Sequence, residues 1–195
     1  ERAVRDADIA IYEAKRSGRA RWVRFEPWMQ DAVLQRSDLE NDLRAELQAG
    51  ALSVEYQPLM DLRGDKVRCL TVEALALWRH PQRGSVPPTQ FIAVAEEAGL
   101  IHALGLQVLD QACAAHMLWQ RTLGAHAPRT MSVNVSVAQL READFVFQVE
   151  ATLKRHRMPA GALQLEVTES IASQDASVQR RLHNLKDLGL SLALD

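Results

Sequence analysis

The order of predicted strands and helices limits the fold of this 195-residue chain more than any other feature. From residue 52 onward, short segments with strand-like patterns of apolar or β-branched residues alternate with longer segments whose apolar residues have the helical period. The strands are predicted at 52–56, 67–75, 131–135, 162–167 and 190–194. The helices are predicted at 89–98, 104–121, 144–156 and 176–188. This order predicts an α/β fold with a mainly parallel sheet.

The first two predicted strands differ from the later ones. A turn-forming segment at 61–65 joins them, which predicts an antiparallel hairpin. Five strands are too few to close an eight-stranded barrel, so the sequence predicts only part of one.

The N-terminal region is predicted to be organised differently. A helix is expected over 3–16 and is expected to stop at Gly18. Residues 20–35 favour a short strand followed by a connector. A second helix is expected to begin at Ser37, which has capping-box spacing to Glu40.

Charge and composition exclude several classes of function. The formal net charge is only −2, which does not favour binding to a nucleic-acid polymer. Residues 1–24 nevertheless carry seven basic and four acidic side chains, so this piece differs from the rest. Cys69 and Cys113 form no CxxC pair and indicate a reducing, cytoplasmic setting. No window approaches the ~18 continuous apolar residues of a membrane segment.

Polar side chains recur at the ends of the predicted strands. They are Glu73, Asn134, Glu166 and Asp195. Side chains alternate along a strand, so the large apolar neighbours of the last three face the opposite side of the sheet. Oxygen ligands gathered at the carboxyl ends of parallel strands suit Mg²⁺ or Mn²⁺ and are compatible with phosphate chemistry. Any one of them alone would more simply be a helix cap or a surface charge.

Several motifs around these residues identify a family. Residues 71–81, with the sequence TVEALALWRHP, resemble the signature of EAL domains. Further motifs follow in family order, namely YQP at 56–58, PTQFI at 88–92, AEEAGLI at 95–101, NVS at 134–136 and LEVTES at 165–170. The resemblance covers about residues 35–195.

The resemblance implies both a fold and an activity. EAL domains are similar to a TIM-like (β/α) barrel with an antiparallel first strand. They are phosphodiesterases that hydrolyse cyclic di-GMP to pGpG with two Mg²⁺ or Mn²⁺ ions. They take part in bacterial signalling.

The resemblance also implies roles for individual residues. By position, the ligands of the first metal are Glu73, Asn134, Glu166 and Asp195. Asp195 also matches a bridging position. Glu169 matches a supporting glutamate that holds the loop after the preceding strand, and Gln57 lies in the motif that lines the substrate cleft.

One position departs from the family pattern. Most active members have an arginine four residues after the motif glutamate, where it holds a substrate phosphate, but this chain has Leu77. Arg79 has the same strand parity and is the substitute expected from the sequence. Loss of a charge-assisted phosphate contact costs about 1.5–3 kcal/mol, which predicts weaker substrate binding.

The N-terminal region has a resemblance of its own. Residues 5–19 are similar to the C-terminal end of a GGDEF diguanylate cyclase domain, including Lys15 and Arg19. These two residues match nucleotide-contacting positions, but are expected here to be a solvated helix end. The resulting division is a GGDEF remnant of helix and strand at 1–26, a linker at 27–36 and an incomplete EAL domain at 37–195.

Both ends of the sequence fall within predicted structure, so the intact protein is expected to be longer. Because the family's second metal-binding aspartate and its lysine and glutamate lie further on, the chain by itself is expected to be inactive. In the intact protein we expect a cytoplasmic enzyme that dimerises through the EAL domain. A degenerate receptor for cyclic di-GMP and a non-catalytic scaffold are the alternatives.

Overall fold

The computed structural model describes residues 2–16, 18, 22–62, 68–167 and 176–194. The chain divides into two compact units, Glu1–Ala45 and Glu46–Asp195, and each is described by itself.

The first unit contains helix α1, Arg2–Arg16, which confirms the helix predicted over 3–16. Helix α2, Pro27–Ala49, begins in this unit. The predicted start of this helix at Ser37 is wrong, because Ser37 lies inside α2. The predicted strand and connector are also wrong for 22–35, where 22–26 have no regular structure and the rest is helical.

Local chemistry explains the early start of α2. Proline suits the first turn of a helix because its missing N–H has no partner there and its φ is already helical. Pro27 occupies that position. Met29, Leu39 and Leu43 are buried at 5%, 2% and 0% exposure, so α2 has buried apolar side chains both before and after Ser37.

The second unit is built on a six-stranded sheet. Its strands are β1 (Ser53–Asp61), β2 (Arg68–His80), β3 (Gly84–Val86), β4 (Thr130–Asn134), β5 (Leu163–Val167) and β6 (Ser191–Leu194). The order is β1-β2-β4-β5-β6, with β3 paired to β2. The β1–β2 pair is antiparallel, and β2, β4, β5 and β6 run parallel, which confirms the predicted hairpin and sheet.

Five helices accompany this sheet in the described residues. They are α3 (Pro88–Glu97), α4 (Ile101–Leu123), α5 (Val137–Arg141), α6 (Phe145–His156) and α7 (Ala176–Asp187). Single 3₁₀ turns precede β4 at Gly124–His126 and β5 at Ala160–Ala162. Helix α5 and strand β3 were not predicted from the sequence, because elements of five and three residues leave almost no periodic pattern.

Alternation along the parallel strands separates the two faces of the sheet. Met131 and Val133 of β4 and Leu163 and Leu165 of β5 are at most 2% exposed and form an apolar layer. Burial at ~25 cal/mol per Å² makes this layer a main source of stability for the unit. The intervening residues are polar and share the opposite face, as parity predicts.

Strand β2 extends beyond its pairing with β4. Its pairing with β4 ends at Ala74, whereas its pairing with β1 reaches Leu77 and its pairing with β3 covers Trp78 to His80. Trp78 is fully buried, and its ring meets that of Phe91 edge-on, with 6.0 Å between centroids. The three-stranded ribbon formed by β1, the end of β2 and β3 is therefore held to the core by the side chain of Trp78.

Among the helices in the described residues, none combines the length and the hydropathy that crossing a bilayer requires.

One buried histidine predicts how stability depends on pH. His116 of α4 is 2% exposed, and its Nδ1 has no hydrogen-bond partner among the described residues. Burial lowers the pKa of His116 below its ordinary value. The folded state therefore binds a proton less readily than the unfolded state does.

We expect the free energy of unfolding to fall as the pH drops from about 7.5 to about 5, through the ordinary histidine pKa of ~6.5. The replacement His116→Leu should make the curve flatter over this range, since the other histidines remain in both proteins. Urea unfolding at several pH values measures this. Parallel curves for the two proteins would contradict it.

Candidate metal centre

Three of the predicted ligands lie together at the carboxyl ends of the parallel strands. Glu73 lies in β2, Asn134 ends β4 and Glu166 lies in β5. Asn134 is the register partner of Glu166, and Glu73 is the register partner of Ser132, two residues before Asn134. Strand pairing alone therefore places these side chains on one face and on adjacent strands.

Hydrogen bonds fix the orientation of both carboxylates. Asn134 Nδ2 donates to Glu73 Oε1 at 2.6 Å. Ser132 Oγ donates to Glu166 Oε1 at 2.5 Å, and Gln164 Nε2 lies 3.4 Å from the same oxygen. Each glutamate thus has one oxygen held by a neutral donor.

The residues present fit a divalent cation with a preference for oxygen. Because Nδ2 of Asn134 faces Glu73, its Oδ1 is the atom left to bind a metal. The carboxylates add hard oxygen atoms, the ligand type that Mg²⁺ and Mn²⁺ prefer over nitrogen or sulfur. Within the described ranges, no group of three or more His, Cys, Asp or Glu side chains could hold a metal, so Asn134 is essential to this candidate set.

Two predicted residues lie outside the described part of the chain. They are Asp195, which follows the end of β6 at Leu194, and Glu169, which follows β5. Their predicted roles as a ligand and as a supporting residue stay predictions.

The predicted substrate residues lie along the ribbon. Gln57 is exposed and is the register partner of Glu73, so both side chains occupy the same face. Leu77 shares this face, four residues beyond Glu73. Arg79 lies six residues beyond it, a separation of ~20 Å along a strand. Its Nη2 is 3.1 Å from Glu55 Oε1 in an exposed ion pair.

A largely apolar cavity of about 410 Å³ is lined in part by Asn134 and Glu166 of the candidate centre. Leu75, Ile92 and Leu104 contribute to its walls, and Glu166 reaches its edge. Asn134 and Glu166 therefore lie beside apolar side chains on this side of the candidate centre.

Gln139 is a supporting residue that sequence reasoning missed. Its backbone N–H donates to Ser136 Oγ and its Oε1 accepts from the Ser136 N–H, which completes a capping box at the start of α5. The pattern Ser-x-x-Gln directly after Asn134 and Val135 was the available signal. Gln139 is 4% exposed, and a Cβ on Gly105 of α4 would overlap its amide. The absence of a side chain at Gly105 thus allows Gln139, and with it the segment that follows Asn134, to pack this close to α4.

The replacement Gly105→Ala tests this contact, because the overlap reverses the sign of the expected change in the free energy of unfolding. In an open helix this change stabilises by about 1 kcal/mol, but overlap with Gln139 should make it destabilising by about 1–3 kcal/mol. Chemical denaturation measures the difference. When Gln139 is already alanine, Gly105→Ala should destabilise the protein much less. An equal loss of unfolding free energy with and without Gln139→Ala would contradict the contact.

Comparison with known proteins agrees with this geometry. The EAL domain family profile matches residues 40–195. The bifunctional diguanylate cyclase/cyclic di-GMP phosphodiesterase MucR of Pseudomonas aeruginosa is 38% identical over 191 residues, 97% of this chain and 27% of that protein. The cyclic di-GMP phosphodiesterase PdeR of Escherichia coli is 33% identical over 193 residues, 98% of this chain and 28% of that protein.

A solved structure matches in three dimensions as well. The PaMucR phosphodiesterase in complex with c-di-GMP gives a TM-score of 0.73 at 38% identity and covers 81% of this chain and 63% of that chain. The chain spans about a quarter of the length of the two curated relatives. The family profile covers most of the chain. The strand order, the antiparallel first pair and the strand-end oxygens are consistent with that match. The chain therefore belongs to the EAL domain family.

Proposed function

We propose that the intact protein hydrolyses cyclic di-GMP to the linear dinucleotide pGpG with Mg²⁺ or Mn²⁺. The observation that carries this proposal is the cluster of Glu73, Asn134 and Glu166, whose free oxygens share one face at the strand ends. It is supported by relatives named as cyclic di-GMP phosphodiesterases and by a relative solved with c-di-GMP.

The chain's own residues have two tasks in this reaction. Glu73, Asn134 and Glu166 would hold the metal through oxygen, with Asp195 as a further and bridging ligand. Ser132 orients Glu166, and Asn134 orients Glu73, by the hydrogen bonds already described.

Mg²⁺ or Mn²⁺, held by Glu73, Asn134 and Glu166, would supply charge neutralisation for the scissile phosphate and would lower the pKa of the attacking water. Water would attack one phosphorus, the P–O bond to a ribose 3′ oxygen would break, and a proton from the water would pass to that oxygen as the ring opens to pGpG. The supporting role of Glu169 in holding its loop belongs to this proposal.

Substrate contacts are proposed along β1 and β2. Gln57 is the better placed candidate, since it pairs with Glu73 across the strands. Arg79 could replace the missing arginine at position 77 only by giving up its ion pair with Glu55, an exposed contact worth at most about 1 kcal/mol.

The remaining proposals concern the context of the domain. The similarity to MucR extends over 97% of this chain, and MucR is named as a cyclase as well as a phosphodiesterase. This supports a GGDEF remnant at 1–26, with a linker at 27–36 and the EAL domain from 37. We also propose a cytoplasmic location, which the free thiols of Cys69 and Cys113 favour, and a homodimer through the EAL domain.

A receptor that binds cyclic di-GMP without cutting it is the second candidate. Leu77 favours it, because this side chain cannot hold a phosphate. Substrate binding and product formation, measured together, separate the two functions.

The replacement Glu73→Gln removes the charge of one proposed ligand. Since even the supporting partners of metal ligands are worth ~10–100-fold in activity, pGpG formation should fall by about 100-fold or more. Chromatography of the nucleotides from the intact protein with Mg²⁺ or Mn²⁺ measures this.

Glu150→Gln is the matched control, since Glu150 lies on α6 in an ion pair with Lys154. It should leave the rate unchanged. A protein that binds cyclic di-GMP tightly but forms no pGpG would point to the receptor, and an active Glu73→Gln protein would contradict the proposed metal centre.

The replacement Leu77→Arg should restore a phosphate contact in the intact protein. A charge-assisted hydrogen bond of about 1.5–3 kcal/mol predicts a KM lower by ~10- to 100-fold with little change in kcat. Steady-state kinetics provide both constants. Leu62→Arg adds the same charge at an exposed position just after β1 and should leave KM unchanged. An unaltered KM for Leu77→Arg would show that position 77 does not contact substrate.

A further inference from the structure

A cationic hollow lies at the opposite edge of the sheet from the candidate metal centre. Helices α4 and α6 precede β4 and β5, so their C-terminal ends lie at the amino-terminal edge of these strands. The hollow between them has a volume of about 390 Å³. Its polar lining consists of Arg121, Arg155, His156 and Arg157, with Ala114 and Met117 as apolar lining.

Only part of this positive charge is balanced. Asp110 Oδ1 lies 2.7 Å from Arg155 Nη1 and 2.8 Å from His156 Nε2. Partial burial would raise the pKa of Asp110, but the hydrogen bond and charge of His156 and then Arg155 outweigh it and lower this pKa. Asp110 therefore stays ionised and joins α4 to α6.

Two arginines of the hollow remain unbalanced. Neither Arg121 nor Arg157 forms an ion pair with any residue in the described ranges. Three guanidinium groups against the single carboxylate of Asp110 leave an excess of two positive charges, before any contribution from His156.

Helix stability accounts for some of these residues but not for all. Cations in the last turn of a helix interact favourably with its dipole, which explains Arg121 and Arg155 without any ligand. Arg157 follows α6 in the left-handed region, with φ 56° and ψ 33°. Glycine is the residue usually found there, because a Cβ is unfavourable in this conformation. Among the described residues, Arg157 is the only non-glycine with positive φ.

We propose that this hollow binds a small molecule carrying a phosphate group. Guanidinium groups donate parallel hydrogen bonds to phosphate oxygens, and an excess of two positive charges matches a phosphate monoester dianion better than a single carboxylate. The volume lies in the usual range of about 300–1,000 Å³ for small-molecule sites. The proposal also gives a reason for the unfavourable backbone conformation at Arg157, because Arg157 supplies the third guanidinium group of the hollow.

The charge also specifies which phosphates should bind. Monoesters and inorganic phosphate carry close to two negative charges at neutral pH, whereas each phosphodiester carries one. The site should therefore prefer inorganic phosphate and pyrophosphate to cyclic di-GMP, which separates it from the proposed substrate site.

The replacement Arg157→Gly tests the site without the usual risk of unfolding. It removes a guanidinium group and supplies the residue that the backbone conformation favours. Inorganic phosphate and pyrophosphate are titrated into the full chain by calorimetry, with ionic strength held constant by chloride. We expect saturable binding that Arg157→Gly weakens by about 10-fold, with thermal stability in chloride equal or higher.

Two further variants complete the design. Arg121→Gln should weaken phosphate binding from the α4 side to a similar extent. Arg180→Ala removes the same charge from an exposed position on α7 and should leave binding unchanged. The proposal is overturned if phosphate shows no saturable binding, or if the Arg157 and Arg121 variants bind it as the unaltered chain does.

Discussion

The register of β2, β4 and β5 is the constraint on which the rest of the second unit depends. It sets Ser132 beside Glu73 and Asn134 beside Glu166, so that one face of the sheet collects oxygen and amide groups. Side chains alternate with period two, so a slip of one residue would exchange this face with the apolar layer. Val133 and Leu165, which are almost completely buried, would then move to the polar face, and polar side chains such as Ser132 would enter the apolar layer, and that cost fixes the register.

The same register determines how the carboxylates of Glu73 and Glu166, the proposed metal ligands, are held. Glu73 and Glu166 are partly buried, and a partly buried carboxylate is stabilised by a hydrogen-bond donor that replaces lost hydration. Ser132 and Asn134 provide one neutral donor each, which satisfies one oxygen and fixes the plane of the carboxylate. A charged partner such as lysine would compete with a metal ion for the same oxygens, whereas a hydroxyl or an amide leaves the negative charge in place.

Much of this arrangement can be predicted from the sequence, because it follows from local patterns. The period-two alternation defines the strands, the turn between the first two defines the hairpin, and parity alone places Asn134 and Glu166 opposite their apolar neighbours. The start of α2 at Pro27 is not predicted, because the aromatic and mixed residues of 20–35 favour a strand and connector and the capping-box spacing at Ser37 favours a later helix start. Contacts between distant elements had no such signal: the overlap of Gln139 with Gly105 depends on how α5 packs on α4. The pairing of Arg79 with Glu55 likewise depends on the hairpin register, which the turn residues left undetermined.

The ribbon formed by β1, the end of β2 and β3 has a consequence for how such a domain can diversify. The end of β2 pairs with β1 as far as Leu77 and with β3 from Trp78, and the buried ring of Trp78 holds it against the core, so backbone pairing and this ring define its path. Under the proposed function, position 77 serves ligand affinity, whereas Trp78 beside it serves the fold. A lineage can tune or lose recognition here by single substitutions while the oxygen cluster a few residues away stays intact.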